Sequence, residues 1–292
     1  MQDSQCHRPP LASTEIAARL NLRRSRPGEW RGQCPACSYP AAAVLTERDG
    51  RSLLWCSSCQ DKAALASVLR AAGGSLPSPR PERLPRAAPD AAGRIERALA
   101  LWNGAEPIEP GTPAALYLAH RRISHVASSP ALRWRSDTPH PAGGRRLALL
   151  AEIIGPDGKF AGVQRIFLDR DGNKANCEPV KASLGAIAGG AVRLQDCSGE
   201  LAVGEGVESA AGAGLLLGMP AWAAISAGNM ARSMALPASI RSVVIAADHD
   251  DPGIRAAEAA WRRWRAEGRH VRLAMPKEAG ADFADLAMGG VR

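Results

Sequence analysis

The chain has few aromatic residues, no P-loop motif and no apolar segment at its start. Phe, Trp and Tyr together make up 4% of the 292 residues. Because no G-x-x-x-x-G-K-[ST] motif is present, these residues contain no P-loop helicase, and any helicase must be a separate partner. Residues 1–8 lack the apolar core of a secretory signal, so we expect a cytoplasmic protein.

One uncharged stretch, residues 209–231, is long enough to suggest a membrane span. Gly212, Gly218 and Pro220 interrupt it at short intervals, which predicts a helix, a turn and a strand instead. We therefore expect no contact with membranes.

The composition is that of a basic globular protein. Hydrophobic residues make up 46% of the chain, and its length predicts two domains with a small third module. The formal net charge of +8 favours a polyanionic partner. Residues 200–292 hold 10 basic and 11 acidic residues, so the basic excess lies upstream of them, where it suits binding of a phosphate backbone.

Three acidic residues follow two predicted strands in the stretch 201–253. Glu205 follows the apolar run 201–204, and Asp248 and Asp250 follow the Val- and Ile-rich run 242–247. Helical spacing after each run predicts that both are strands of a parallel sheet. Ligands bind at the carboxyl ends of such strands, so this fold brings the three acids to one edge.

Clustered carboxylates repel one another unless a cation lies between them. Their oxygens favour Mg²⁺ or Mn²⁺, whose remaining positions are filled by water and substrate phosphates. The alternative is a solvated acidic loop at the start of the following helix, where Asp is common. The glutamate on a second strand favours the metal site.

These residues resemble the Toprim domain that bacterial-type primases, topoisomerases and some nucleases share. The resemblance rests on Gly204-Glu205-Gly206, Asp248-x-Asp250-x-x-Gly253 and Asp282-Phe283-Ala284-Asp285-Leu286. It implies that Glu205, Asp248 and Asp250 are catalytic and bind Mg²⁺ or Mn²⁺. Asp282 and Asp285 are implied as further metal ligands or helix caps. Ser209 stands where many replicative primases have a further acid, and the role of nearby Glu208 stays open.

Four of the seven cysteines form two C-x₂-C pairs, Cys34 with Cys37 and Cys56 with Cys59. The 18 residues between the pairs are typical of a structural zinc site with four thiolate ligands. Two disulfides or a redox motif are the alternatives, and a cytoplasmic location argues against disulfides. The runs 44–46 and 52–55, joined through residues 49–50, predict a hairpin and hence a zinc ribbon.

The ribbon resembles the N-terminal zinc module of primases, in which a G-x-C-P-x-C knuckle precedes the second cysteine pair and a short helix follows. The resemblance implies a role in template recognition. Trp30, Trp55, Arg31 and Arg51 are then candidates for base stacking and phosphate contact. The alternative is that both tryptophans pack the small core of the ribbon.

Residues 73–93 contain five prolines among arginines and serines, which predicts a semi-extended linker. We therefore divide the chain into a zinc-ribbon domain (1–72), the linker (73–93), a basic α+β segment (94–199) and a Toprim domain (200–292).

The segment 94–199 is predicted to hold two helices and a β-hairpin over 147–154 and 159–168. Residues 101–103, 111–113, 117–118 and 189–194 resemble the region before Toprim in primase-like proteins of plasmids, phages and integrated elements. In replicative primases the corresponding subdomain presents basic residues to nucleotide and template. By position this implies Arg165, Lys174 and Lys181, the last before a predicted Ser-Leu-Gly turn. Each is explained equally well as a solvated surface charge.

The predicted fold class is α/β: a Toprim-type parallel sheet domain, preceded by a mixed α+β subdomain and a small β zinc ribbon. After residue 200 we predict alternating strands and helices. The strands are 201–204, 221–225, 242–247 and 270–275, and the helices are 207–217, 229–236, 253–267 and a short helix from Asp282.

Together the resemblances imply a DNA primase that makes short primers on a single-stranded DNA template by metal-dependent nucleotidyl transfer. Single-stranded DNA and nucleoside triphosphates are the expected partners, and a separate replicative helicase is implied by the family alone. The alternatives are a Toprim-type metal-dependent nuclease and a non-catalytic zinc-ribbon DNA-binding accessory protein of replication. A topoisomerase is disfavoured, because the chain has only Tyr39 and Tyr117 and is too short for strand-passage domains.

Overall fold

The computed structural model of the protein describes residues 11–48, 51–59, 61–74 and 91–289. They fall into two compact units, the first within residues 1–86 and the second within residues 87–292. Residues 75–90 of the predicted linker, and residues 49–50 of the predicted hairpin turn, lie outside the described residues. The first helix described in the second unit spans Ala91–Asn103, so the last three residues of the predicted linker are helical.

The first unit is built on a four-stranded antiparallel sheet of order β1-β2-β3-β4. Its elements are α1 (Ser13–Arg19), β1 (Arg23–Arg26), β2 (Glu29–Gly32), β3 (Ala43–Arg48), β4 (Arg51–Cys56) and α2 (Lys62–Ala71). Strands β3 and β4 are the predicted hairpin. Strands β1 and β2 are missing from the prediction, because the charged run of β1 shows no apolar alternation.

One face of this sheet carries the core of the first unit. Leu45 is fully buried on β3, between Trp30 on β2 and Leu54 on β4. Ile16 of α1 belongs to the same cluster. Trp30 is 6% exposed, whereas Trp55 on β4 is 52% exposed. Trp30 therefore packs in the core of the ribbon, as the alternative to template contact predicts, and Trp55 does not.

The second unit begins with helices and a four-stranded antiparallel sheet of order β5-β6-β7-β8. Its elements are α3 (Ala91–Asn103), α4 (Pro113–His120), a 3₁₀ turn (Ser124–Val126), β5 (Leu132–Pro139), β6 (Arg145–Ile154), β7 (Phe160–Phe167) and β8 (Lys181–Gly185). The predicted hairpin corresponds to β6 and β7. The turn predicted after Lys181 is wrong, since Lys181 begins strand β8, which pairs with β7.

The rest of the second unit is a five-stranded sheet of order β13-β12-β10-β11-β9 with helices between its strands. The elements are β9 (Val192–Arg193), β10 (Gly199–Gly204), α5 (Val207–Leu217), β11 (Ala221–Ala223), α6 (Ala227–Arg232), β12 (Ile240–Ala246), α7 (Asp251–Ala266), β13 (His270–Ala274) and α8 (Phe283–Ala287). Four strands are parallel, and the short edge strand β9 is antiparallel to β11. The predicted α/β class is confirmed.

Both faces of the parallel sheet are covered. Successive residues of β10 point to opposite sides of the sheet, and they belong to two different core clusters. Leu201 and Val203 belong to a core cluster that includes Trp264 of α7. Ala202 belongs to another cluster, which includes Leu149 of β6. The two sheets of the second unit therefore share a core.

Residues 209–231, which are uncharged, form most of α5, strand β11 and most of α6. Among the described residues, no helix combines the length and the apolar character needed to cross a membrane.

Candidate functional site

Two acidic residues follow neighbouring parallel strands, Glu205 after β10 and Asp248 after β12. The register pairs Gly204 with Ala246 at the ends of these strands. Glu205 and Asp248 therefore both lie at the carboxyl edge of the sheet, where parallel α/β sheets bind their ligands.

Glu205 interacts with neighbours of both charges. Its half-buried carboxylate accepts a hydrogen bond from the backbone N–H of Ala227 at the start of α6. Burial raises the pKa of Glu205, and the negative charge of Asp250 raises it further. The Ala227 hydrogen bond and the positive charge of Lys181 oppose this rise.

Asp248 is repelled by three other carboxylates at this edge. Burial raises the pKa of Asp248 to about 7, and the charges of Glu205, Asp282 and Asp250 contribute to the rise. The Ser209 hydroxyl donates a hydrogen bond of 3.0 Å to its Oδ1 and opposes the shift. Four carboxylates thus act on one another here, although their positions in the sequence span almost eighty residues.

The other acids of the edge also cap helices. The backbone N–H of Gly253 donates to Asp250 Oδ1 at 2.7 Å, which makes Asp250 the N-cap of α7. Asp282 is the N-cap of α8 and forms a capping box with Asp285. The helix-cap alternative therefore applies to Asp250, Asp282 and Asp285, and a capping carboxylate retains a second oxygen for a ligand.

Close packing brings α8 to the edge. A Cβ atom on Gly212 of α5 would lie 2.4 Å from the carbonyl oxygen of Phe283, so this approach requires glycine. The backbone of His249 accepts a hydrogen bond from Gly280 at 2.7 Å and donates one to Ala281 at 2.9 Å. These contacts place the segment before Asp282 beside the loop that carries Asp248 and Asp250.

The carboxylate edge, Glu205, Asp248, Asp250 and Asp282, offers the hard oxygen donors that suit Mg²⁺ or Mn²⁺. Among the described residues, the four cysteines are the one group of candidate metal ligands whose donor atoms all lie within 4.8 Å of one another. The edge is thus more open than that cluster. Such a geometry fits Mg²⁺, which binds one or two carboxylates directly and keeps several water ligands.

A group of cations lies beside the carboxylate edge, around Glu208 of α5. The Glu208 side chain is almost fully buried and contacts the ammonium groups of Lys181, at 2.8 Å, and Lys174, at 3.5 Å. The Tyr117 hydroxyl donates a 2.5 Å hydrogen bond to Glu208. Burial alone would raise the pKa of Glu208, but the two lysine charges and these hydrogen bonds hold it well below its ordinary value.

The loop between β7 and β8 carries Lys174 and is held against α4. His120 Nδ1 lies 3.3 Å from the carbonyl oxygen of Gly172. Gly172 has a φ of +78°, and a Cβ there would lie 2.5 Å from Leu116 Cβ and 2.7 Å from the Tyr117 nitrogen. This contact fixes the loop next to the helix that supplies Tyr117.

Arg165 lies apart from this group of cations. Its guanidinium donates hydrogen bonds to the backbone carbonyls of Pro139, Ala182 and Ser183, and the residue is 6% exposed. These contacts give Arg165 a role inside the sheet, and its role in nucleotide binding stays a prediction.

The four cysteines of the first unit form a compact cluster. Cys34 Sγ lies 4.0 Å from Cys59 Sγ, and Cys37 Sγ lies 3.8 Å from Cys56 Sγ. These distances exceed an S–S bond of about 2.0 Å and match the spacing of about 3.8 Å expected for tetrahedral ligands at a Zn–S distance of about 2.3 Å. Backbone N–H groups of Ser58 and Cys59 donate to Cys56 Sγ, which suits a thiolate.

The ribbon face opposite its core is basic and carries the exposed Trp55. The register places Trp55 opposite Val44, Val44 opposite Arg31, and Arg31 opposite Arg23. Arg31 also contacts the buried Glu29 at 2.8 Å. Arg51 is exposed on β4, the same strand as Trp55.

Sequence analysis assigned no role in the site to Tyr117, Ser209 or Glu208. One signal was available, because Glu208 is the single charged residue of α5, which is otherwise small and apolar. A lone carboxylate in such a helix indicates a buried charged partner. The partners themselves come from α4, β8 and the loop before β8, which only tertiary packing brings together.

The chain matches two family models. Residues 200–290 match the Toprim domain, and residues 92–194 match a domain of unknown function, DUF7146. The Toprim resemblance is thereby confirmed. No curated protein matches the chain.

Solved structures of primases resemble the chain at low sequence identity. A DNA primase domain from Pseudomonas aeruginosa is 15% identical, with a TM-score of 0.44 over 67% of this chain and 74% of that chain. The zinc-binding and RNA polymerase domains of Aquifex aeolicus primase are 12% identical, with a TM-score of 0.44 over 94% and 79%. The primase fragment of the bacteriophage T7 primase-helicase protein is 14% identical, with a TM-score of 0.43 over 89% and 94%.

Proposed function

Residues 200–290 form a Toprim domain, and we propose that the chain is a DNA primase that joins nucleoside triphosphates into short primers on single-stranded DNA. The observation that carries this proposal is the placement of two lysines beside a cluster of carboxylates at one edge of the sheet. Carboxylates suit divalent metal, and ammonium groups suit the phosphates that such a metal accompanies.

The roles follow from the chemistry of each group. Glu205, Asp248 and Asp250 would hold Mg²⁺ or Mn²⁺, with Asp282 beside them. The bound metal would neutralise triphosphate charge and favour attack by a 3′-hydroxyl group. Lys174 and Lys181 would contact the phosphates, since each side chain is about one-third exposed, at 34% and 33%.

The first unit supplies the proposed template contacts. Its cysteines would bind Zn²⁺ as a structural ion, because their geometry fits four thiolate ligands. Trp55 is available for base stacking, and Arg31 and Arg51 lie on the same sheet for phosphate contact. The proposed partners are therefore single-stranded DNA and nucleoside triphosphates. A separate replicative helicase is proposed on the family resemblance alone.

The test is synthesis of labelled RNA on single-stranded DNA with Mg²⁺ or Mn²⁺. We expect short products from the wild type and none from Asp248→Asn, whereas Asp251→Asn keeps activity because that residue is an exposed neighbour. Trp55→Ala is expected to weaken template binding by about 1–3 kcal/mol, the cost of one stacked base.

Two other outcomes would replace the proposal. Metal-dependent shortening of the template without primer synthesis would make the chain a Toprim nuclease. DNA binding with neither reaction, and unaffected by Asp248→Asn, would make it a non-catalytic accessory protein of replication.

A further inference from the structure

We propose that Glu208 is a positioning residue that holds the ammonium groups of Lys174 and Lys181 side by side, so that both meet the triphosphate of an incoming nucleotide. This inference rests on the proposed function and adds the residue that arranges its phosphate contacts. Glu208 lies three residues after Glu205 but does not belong to the carboxylate edge, because its carboxylate oxygens contact the Tyr117 hydroxyl and the ammonium groups of the two lysines.

The contacts of Glu208 leave it unavailable to a ligand and leave the lysines available. Glu208 is 4% exposed, and both of its oxygens contact Lys181, at 2.8 and 2.9 Å. The ammonium group of Lys174 and the hydroxyl of Tyr117 both contact Oε1 of Glu208. Each ammonium group has three donors, and the lysine side chains are partly exposed, so donors remain for a second anion.

The balance of charge favours an anionic ligand. The charges of Lys181 and Arg121 both act on Lys174, and the two lysine charges act on the single carboxylate of Glu208. Burial raises the pKa of the Tyr117 hydroxyl, and the Glu208 charge raises it further, so Tyr117 stays neutral. The group therefore has more positive than negative charge. The charge of Lys181 also lowers the pKa of Glu205 at the carboxylate edge.

Glu208 is needed because neighbouring ammonium groups repel each other. Burial lowers the pKa of Lys174, and the charges of Lys181 and Arg121 lower it further. The charge of Glu208 is the main opposing influence. Without Glu208, Lys174 would lose its proton at a lower pH or turn away from Lys181, and the paired arrangement would be lost.

A purely structural ion pair would be built differently. One cation is enough to neutralise a buried carboxylate, and its side chain would be buried as well. Here two cations come from separate elements, β8 and the loop before it, and both remain partly exposed. The second lysine and the exposure of both indicate a site for an outside anion.

The experiment is calorimetric titration of the full chain with ATP and Mg²⁺, without template, between about pH 7 and about pH 8.5. Wild type is compared with Glu208→Gln and with Glu258→Gln, an exposed carboxylate paired with Arg262 on α7. We expect Glu258→Gln to match wild type throughout. In Glu208→Gln, we expect the affinity for ATP to fall as the pH rises, by up to about tenfold per pH unit. The reason is that Lys174 has lost its proton in this variant and must take one up when ATP binds.

A double variant separates this effect from a change of fold. In Glu208→Gln with Lys174→Met, the repelling neighbour of Lys181 is gone, so ATP binds weakly and most of the pH dependence disappears. A folded Glu208→Gln protein with the affinity and pH profile of wild type would overturn the inference. Should that variant fail to fold, Glu208→Asp keeps the charge and shortens the side chain. Several-fold weaker binding with the wild-type pH profile is then expected, and unchanged affinity overturns the inference.

The inference and the proposed function fail in different ways. Primer synthesis by the wild type, together with normal ATP binding by Glu208→Gln, overturns the inference alone. The expected Glu208 effect in a protein that makes no primers overturns the primase proposal alone. A wild type that binds no ATP at all overturns both.

Discussion

The cysteine cluster takes its four thiols from the loop between β2 and β3 and from the end of β4 with the turn after it. The carboxylate edge takes its acids from the ends of β10 and β12 and from the residue before α8. The cysteine sulfurs are close enough to enclose one ion. The carboxylates repel one another, and three of the four also hold a hydroxyl or cap a helix. A site of the first kind stabilises a small fold, and a site of the second kind keeps positions open for substrate.

The largest effect that would test this comparison is loss of metal from the first unit. We expect a chelator, or Cys56→Ser, to unfold the first unit, because structural zinc supplies on the order of 10 kcal/mol to such folds. The second unit should keep its own unfolding transition. The measurement is zinc content together with circular dichroism during heating.

Cys197→Ser is the matched control, since Cys197 lies outside the cluster and donates to the carbonyl oxygen of Glu200. A chain that keeps its first unit folded after complete removal of metal would contradict a structural role for the cysteines.

The next effect concerns the repulsion at Asp248. Its pKa of about 7 in the folded state lies above the ordinary value of about 3.9, so the folded state holds the proton more tightly than the unfolded state. Stability without divalent metal should therefore fall as pH rises from about 4 to about 7, by at most about 4 kcal/mol. Mg²⁺ or Mn²⁺ should restore stability above pH 7, because it binds the ionised form.

Urea unfolding at about pH 5 and about pH 8 checks this prediction. Asp248→Asn should lose most of the fall in stability, while Asp251→Asn keeps it. Equal pH dependence in wild type and Asp248→Asn would show that the carboxylates do not interact as described.

A smaller effect tests whether close packing assembles the edge. Gly212→Ala would press a methyl group against the Phe283 carbonyl and push α8 away. We expect a loss of about 1–3 kcal/mol in stability, as in other overpacked cores, and weaker Mn²⁺ binding. Leu216→Ala, on the same helix but 49% exposed, is the control. Unchanged Mn²⁺ affinity in Gly212→Ala would remove Asp282 from the site.

The smallest effect compares two glycines with nearly the same backbone. Gly172 and Gly158 have φ values of +78° and +77°, but a Cβ at Gly158 meets nothing within 4 Å. Both substitutions by alanine should cost about 1 kcal/mol of backbone strain. Gly172→Ala should in addition weaken ATP binding several-fold, since it displaces the loop that carries Lys174. Equal ATP affinities in the two variants would contradict that link.

Much of the fold was accessible from sequence periodicity. The predicted helix 207–217 has the observed bounds of α5, and the predicted strands 201–204 and 242–247 lie within two residues of β10 and β12. Strands β1, β5 and β8 were not accessible in this way. β1 is wholly charged or polar, and β8 is half-buried along its length, so neither alternates clearly between apolar and polar residues.

The candidate sites divide along the same line. Cysteine spacing predicted which four thiols lie together, because a C-x₂-C pair and its hairpin are local in the chain. Motif order identified Glu205, Asp248 and Asp250, because parallel strands end at one edge whatever lies between them. Sequence spacing does not predict the contacts of Arg165, whose guanidinium donates hydrogen bonds to backbone carbonyls of its own sheet.

The sequence by itself determined the cysteine pairs, the order of strands and helices after residue 200, and the edge at which the acids meet, since each of these depends on local spacing or on a rule of topology. Only the tertiary structure decided the partners of Glu208. Tyr117 is 91 residues away from it and Lys181 is 27 residues away. Contacts between separate elements depend on how whole helices and sheets pack, and no local pattern of residues encodes that packing.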